Sequence, residues 1–137
     1  QDNQSYSTYG TLRGMHLQRG EHAQAKLVRV IKGEVLDVAV DLRSNSKTFG
    51  KYFSVILSEE NNKQLLIPTG FAHGFVVLSK DAIFQYKVDN YYNKESEAGF
   101  IFNDQEVGID WQISESDIML SSKDQILSSF SELKETL

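Results

Sequence analysis

Apolar and polar residues alternate over short stretches through most of the chain, which is the period of half-buried β-strands. The longest such stretch is "KLVRVIKGEVLDVAVDLR" at 26–43. Lys32-Gly33 breaks it, which predicts a hairpin between "KLVRVI" and "EVLDVAVDL". In the second half Val35, Asp37, Ala39 and Asp41 share one face, while Leu36, Val38, Val40 and Leu42 share the other. The second face is the apolar one and is expected to be buried. Further strands are predicted at 51–58, 64–68, 74–79 and 82–92, separated by the turn-rich "SNSKTFG" (44–50) and the polar "EENNK" (59–63). Many short strands between turn signals predict an all-β jelly-roll sandwich or barrel of the cupin kind. The tail differs. In "SSKDQILSSFSELKETL" (121–137), Ile126, Leu127, Phe130 and Leu133 fall at helical spacing, so one short C-terminal helix is expected, capped by Ser122 or Asp124.

A chain of 137 residues suits one domain over 1–137 and is long enough to bury a core. Its formal charge of -5 gives no basic face for nucleic acid, though a local basic pocket for a phosphate remains open. Without cysteine there is neither a disulfide nor a thiolate metal site. No apolar run reaches the roughly 18 residues of a membrane span. The start, "QDNQSYSTYG", lacks a methionine and reads as processed or trimmed, with no secretory leader; a cytoplasmic protein is expected.

Candidate chemistry begins with the three histidines, His16, His22 and His73. A single histidine is usually structural, but two carry context. His73 lies in "IPTGFAHGF", whose Pro-x-Gly-x-x-His spacing resembles the second cupin motif. His16 lies in "GMHLQ", where Gln18 stands at the place of the second histidine in the first motif of metal cupins. His16, His73 and Glu21, with Gln18 as a poor fourth donor, could be forced into a metal site, but a metal-free cupin is the favoured reading. His22 reads as a loop residue. Tyr86 shares a strand face with Phe84 and Val88, so its hydroxyl is expected inside the barrel, as an acid beside a histidine base. Lys26 opens an apolar strand; it is either a snorkelling edge lysine or a cation facing a developing oxyanion. Arg13 is either a surface ion-pair partner or a phosphate anchor, and Asp124 either a helix cap or the carboxylate that holds a histidine.

Taken together, "QDNQS" (1–5), "GTLRGMHLQ" (10–18), 26–43, 49–79, "YKVDNYY" (86–92), "DQEVGIDW" (104–111) and "LSSKD" (120–124) resemble the dTDP-4-dehydrorhamnose 3,5-epimerase family, a metal-independent cupin family. The resemblance implies a reaction without cofactor or metal, on a dTDP-4-keto-6-deoxy sugar, in a homodimer. It implies His16 as base, Asp124 as its partner, Tyr86 as acid and Lys26 beside the enolate oxygen. It places His73 by the sugar and Arg13, Gln1, Asn3, Tyr92 and Lys123 on the nucleotide-sugar. The family also carries an N-terminal segment ahead of "QDNQS" that reaches a neighbouring subunit, so dimer exchange and nucleotide affinity are the properties expected to depend on it. Rival readings are epimerisation at carbon 3 or 5 alone, a metal-dependent cupin, and a nucleotide-sugar-binding cupin without turnover.

Overall fold

The computed structural model describes every residue from Gln1 to Leu137. The strands are β1 (Asp2–Thr8), β2 (Leu12–Gln18), β3 (Lys26–Lys32), β4 (Glu34–Asp41), β5 (Tyr52–Ser58), β6 (Gln64–Ile67), β7 (Phe71–Val77), β8 (Asp81–Val88) and β9 (Glu97–Gly99). They form two antiparallel sheets, ordered β1-β8-β3-β6 and β5-β4-β7-β2-β9. The sheets face each other as an all-β sandwich of the expected jelly-roll kind. No helix is long and apolar enough to cross a membrane.

The Lys32-Gly33 turn is not a hairpin. β3 pairs with β8 and β6, whereas β4 pairs with β5 and β7, so the chain changes sheet at Gly33. Gly33 has φ +81, and a Cβ there would stand 2.1 Å from the Asp81 carbonyl oxygen. Only glycine fits this corner. The physical reason for the crossing is that β3 and β4 both carry apolar residues for one interior: Val28 and Val30 from one sheet, Val35 and Ala39 from the other, with Phe75 and Phe84 between. A hairpin would have left them side by side in one layer.

β4 is buried on both faces. Leu36, Val38, Val40 and Leu42 are buried as expected, and so are Val35, Asp37, Ala39 and Asp41. The first set packs on a second apolar layer behind the five-stranded sheet, built from Phe100, Phe102, Trp111, Phe130 and Leu133. The segment after β9 therefore covers a sheet face that would otherwise be wet. Trp111 donates its indole N–H to the Phe102 carbonyl at 2.9 Å, which satisfies the one polar atom it brings inside.

The tail holds two helical turns rather than one helix: α1 (Ser122–Gln125) and α2 (Phe130–Lys134). Ser121 and Ser129 cap them, so neither Ser122 nor Asp124 does. Ser129 and Glu132 form a reciprocal capping box. Phe130 and Leu133 are buried, but Ile126 is 84% exposed, because the chain leaves the helix between the two turns. Two strand limits also differ from the sequence pattern. β7 starts at Phe71 and so includes His73, and β8 ends at Val88, which leaves Tyr91 and Tyr92 in the following loop.

Candidate active site

One cavity of about 430 Å³ opens between the two sheets, a volume suited to a small organic ligand. Asn3, Arg13, His16, Lys26, His73, Tyr86, Tyr92, Lys123 and Asp124 all line it. Of the site residues that the resemblance implies, only Gln1 is not in the lining. Its ammonium donates to the Val88 carbonyl at 2.9 Å and its side-chain amide to Asn3 Oδ1 at 3.4 Å, so it holds the β1 edge beside the cavity.

His16 comes from β2 and Tyr86 from β8, on opposite sheets. Asp124 reaches His16 from 108 residues away, with Oδ1 2.6 Å from Nε2. Its second oxygen accepts the Gly14 N–H at 3.1 Å. Ser121 accepts the Asp124 N–H, so the cap that starts α1 also aims the carboxylate. Gly14 is the backbone condition for this contact. Its φ is +134, and a Cβ would stand 2.7 Å from Gly74 Cα. Burial pushes the Asp124 carboxyl up; hydrogen bonds from His16 and Gly14 outweigh it and leave the group below the ordinary carboxylate value.

The second nitrogen of His16, Nδ1, is buried without a hydrogen bond, yet Glu97 Oε1 lies 3.2 Å from it. The contact is close but out of line for a hydrogen bond. That same carboxylate takes the Lys123 ammonium at 2.5 Å and the Tyr92 hydroxyl. Burial raises the Glu97 carboxyl, but Lys123, Tyr92 and His16 together hold it below its usual value. Glu97 carries no local signal in "NKESEAG", where acidic residues are common and the strand is three residues long.

His73 is buried, and its Nε2 stands 2.9 Å from Asp37 Oδ2. Asp37 shares its face of β4 with Val35, Ala39 and Asp41, opposite the face expected to be buried; that face is the interior of the sandwich. Phe84 stacks on Phe75 with centroids 4.2 Å apart and lies beside His73. Lys26 also borders the cavity. Burial lowers the affinity of its amine for a proton, and the charges of Asp37 and Glu97 partly restore it. Burial raises the Tyr86 phenol, with Arg13 pulling the other way.

The metal alternative does not assemble. Glu21 sits on a short 3-10 turn outside the cavity lining, and no three histidine, aspartate or glutamate side chains converge as a metal site would need. Gln18 is buried and accepts the Asn93 N–H at 3.1 Å, so it orders the loop that presents Tyr92. His22 lies at the surface loop, 3.1 Å from the Ser96 hydroxyl.

The family model for dTDP-4-dehydrorhamnose 3,5-epimerase matches residues 1–132. An Escherichia coli protein of that name is 55% identical over 133 residues, covering 97% of this chain and 71% of the relative. A crystal structure of the enzyme of that name from Elizabethkingia anophelis superposes with a TM-score of 0.95 at 60% identity, covering 96% of this chain and 72% of that one. A dTDP-6-deoxy-D-glucose-3,5-epimerase from Legionella pneumophila, solved with dTDP-4-keto-L-rhamnose, gives 0.91 at 50% identity, covering 96% and 69%. In a further curated relative the share covered falls to 63% of its length. A sandwich of this topology, a cavity lined by the motif residues, and matches of this extent lead to one statement: the chain belongs to the dTDP-4-dehydrorhamnose 3,5-epimerase family.

Proposed function

We infer that the protein inverts carbons 3 and 5 of dTDP-4-dehydro-6-deoxy-D-glucose, giving dTDP-4-dehydro-L-rhamnose. The observation that carries this is the arrangement of His16 and Tyr86 on opposite sheets across one cavity, with Asp124 2.6 Å behind His16. Both carbons flank the ketone at carbon 4, so loss of either proton gives an enolate. Inversion requires that a proton leave one face and return to the other. His16 removes it, and Asp124 supports the resulting imidazolium. Tyr86 returns a proton from the opposing sheet. Its phenol, kept protonated by burial, is a donor at neutral pH. Lys26 stands by the enolate oxygen and offsets its charge. His73, fixed by Asp37, contacts the sugar. Arg13, Asn3, Tyr92 and Lys123 hold the nucleotide diphosphate, with Gln1 supporting Asn3. No step needs a metal or cofactor.

The protein is read as one cytoplasmic domain that works as a homodimer. The exposed edge of β1, where Tyr6 is 60% exposed, supports pairing with another chain.

Incubation with the 4-keto sugar nucleotide in D₂O tests the reaction. Solvent deuterium is expected at carbons 3 and 5 together with the L-configured product. Exchange at one carbon only selects a single epimerase, and binding without exchange selects a sugar-nucleotide-binding protein.

A further inference from the structure

Glu97 has no role in the reaction as described, yet it stands closer to His16 than any acidic group except Asp124. Its side chain is 12% exposed and is set by the β2–β9 pairing, in which Glu97 opposes Gln18 and Gly99 opposes His16. The imidazole therefore lies between two carboxylates. One of them, Glu97, is neutralised by Lys123, whose ammonium lies 2.5 Å from the oxygen that faces Nδ1. Lys123 is more than half exposed on a flexible stem and lines the cavity beside the Tyr92 ring. It can leave Glu97 for a stronger anion without disturbing the fold.

We propose that Glu97 is a positioning residue that strengthens His16 as a base, and that Lys123 masks it until a diphosphate in the cavity draws the ammonium away. This rests on the reading that the ligand carries a diphosphate. A doubly charged phosphate oxygen cluster attracts an ammonium more strongly than one carboxylate does. Once Lys123 turns to it, Glu97 keeps only the Tyr92 hydroxyl, and its charge acts on His16 at 3.2 Å to stabilise the imidazolium that proton abstraction forms. The other groups around His16 are Asp124 from α1, Lys26 from β3, His73 from β7, Tyr86 from β8 and Arg13 from its own strand. None of these exchanges partners in the proposed switch. The base is thus at its strongest only when substrate is bound.

The test is the NMR titration of the His16 imidazole, assigned by its loss in His16→Asn, with and without dTDP as the probe. In the free protein, Glu97→Gln lowers the midpoint by about one pH unit and Lys123→Met raises it by a similar amount. Glu97→Asp, which keeps the charge, stays near the parent. Added dTDP raises the midpoint in the parent by more than in Glu97→Gln, because only the parent has a carboxylate to unmask. An unchanged midpoint in Glu97→Gln and Lys123→Met overturns the role of Glu97. An equal dTDP response in parent and Glu97→Gln, or no dTDP response in any cavity resonance, overturns the switch. Should Glu97→Gln fail to fold, Lys123→Met carries the same test with the opposite sign. These titrations need no turnover, so an absence of deuterium exchange would defeat the epimerase reading and leave them standing.

Discussion

Replacing Asp124 by Asn separates orientation from charge at the base. Asp124 is 3% exposed, and both of its oxygens are committed: one 2.6 Å from His16 Nε2, the other accepting the Gly14 N–H at 3.1 Å. An asparagine has one acceptor and one donor. If its oxygen keeps Gly14, its NH₂ meets Nε2 and demands a lone pair there, which moves the imidazole proton to Nδ1. If its oxygen keeps Nε2, the NH₂ opposes the Gly14 N–H and a buried donor is left unpaired, at a cost of about 1–3 kcal/mol. Either way the imidazolium loses the carboxylate that supports it. General-base contributions of roughly 10²–10⁴ set the scale, so deuterium entry at carbons 3 and 5 is expected to fall by about 10³, or roughly 4 kcal/mol of barrier. The thermal midpoint should fall by about 4–12 °C, taking about 1–3 kcal/mol at roughly 4 °C per kcal/mol for a domain of this size. The assay is single-turnover exchange in D₂O beside a melting curve. Exchange within threefold of the parent, in a folded protein, would refute the pairing as the origin of base strength. The same variant carries a pH signature. The Asp124 carboxyl lies below its unfolded value, so its contribution to stability is present above that value and is lost as pH falls through the folded one. Asp124→Asn should therefore flatten the acid side of a plot of Tm against pH.

Three further substitutions perturb the acid, a buried carboxylate and the strand that carries the base. Tyr86→Phe should retain solvent exchange at the acidified carbons while inverted product falls by about 10²-fold or more, because the base acts but the opposing donor is gone; product analysis by NMR checks it. Asp41→Ala should cost about 1–2 kcal/mol in urea unfolding, since a buried carboxylate that accepts from Arg43 at 2.9 Å, Ser46 at 2.5 Å and Thr48 at 2.6 Å is removed, while those more exposed donors turn to water. Its carboxyl is held far below the ordinary range, first by Arg43, so this stabilisation persists well into acid and disappears only as pH falls toward that low value. Gly14→Ala should lose more than about 2 kcal/mol and most activity together, because a Cβ 2.7 Å from Gly74 Cα must push β2 away from β7 and carry the Gly14 N–H off Asp124.

The strands of this fold were legible because alternation is a local property. Their partners were not. "KG" at 32–33 announces a reversal but says nothing of which strand lies beside β4, and the answer was set by two apolar faces that had to meet across the sandwich. Alternation marked only one face of β4 for burial and did not show that the face carrying Asp37 is buried too, since a polar lining and a polar surface have the same period. The tail misled in another way. Helical spacing of Ile126, Leu127, Phe130 and Leu133 suggested one helix, but Ser129 accepts the Glu132 N–H and opens a new turn, leaving Ile126 outside. Strand alternation turned Tyr86 inward and motif spacing raised His16 and His73, but the pairing at the base came from family resemblance alone: nothing local links His16 to Asp124 across 108 positions. Glu97 escaped both routes, since only the register of a three-residue strand against β2 brings it to the imidazole.

The architecture explains why the acid and base hold their separation. His16 and Tyr86 each belong to a strand paired on both sides, β2 between β7 and β9, and β8 between β1 and β3. Neither can shift without slipping a register that fixes a full set of inward side chains. Polar groups inside such a sandwich are costly unless matched. The buried carboxylates are each matched by a neighbour: Asp124 by His16, Asp37 by His73, Glu97 by Lys123 and Asp41 by Arg43. The segment that supplies Asp124 also supplies Phe130 and Leu133 to the layer behind the five-stranded sheet. Sealing the back of that sheet and delivering the carboxylate to its front are therefore one structural event, and a chain that has closed its second core has at the same time completed the base.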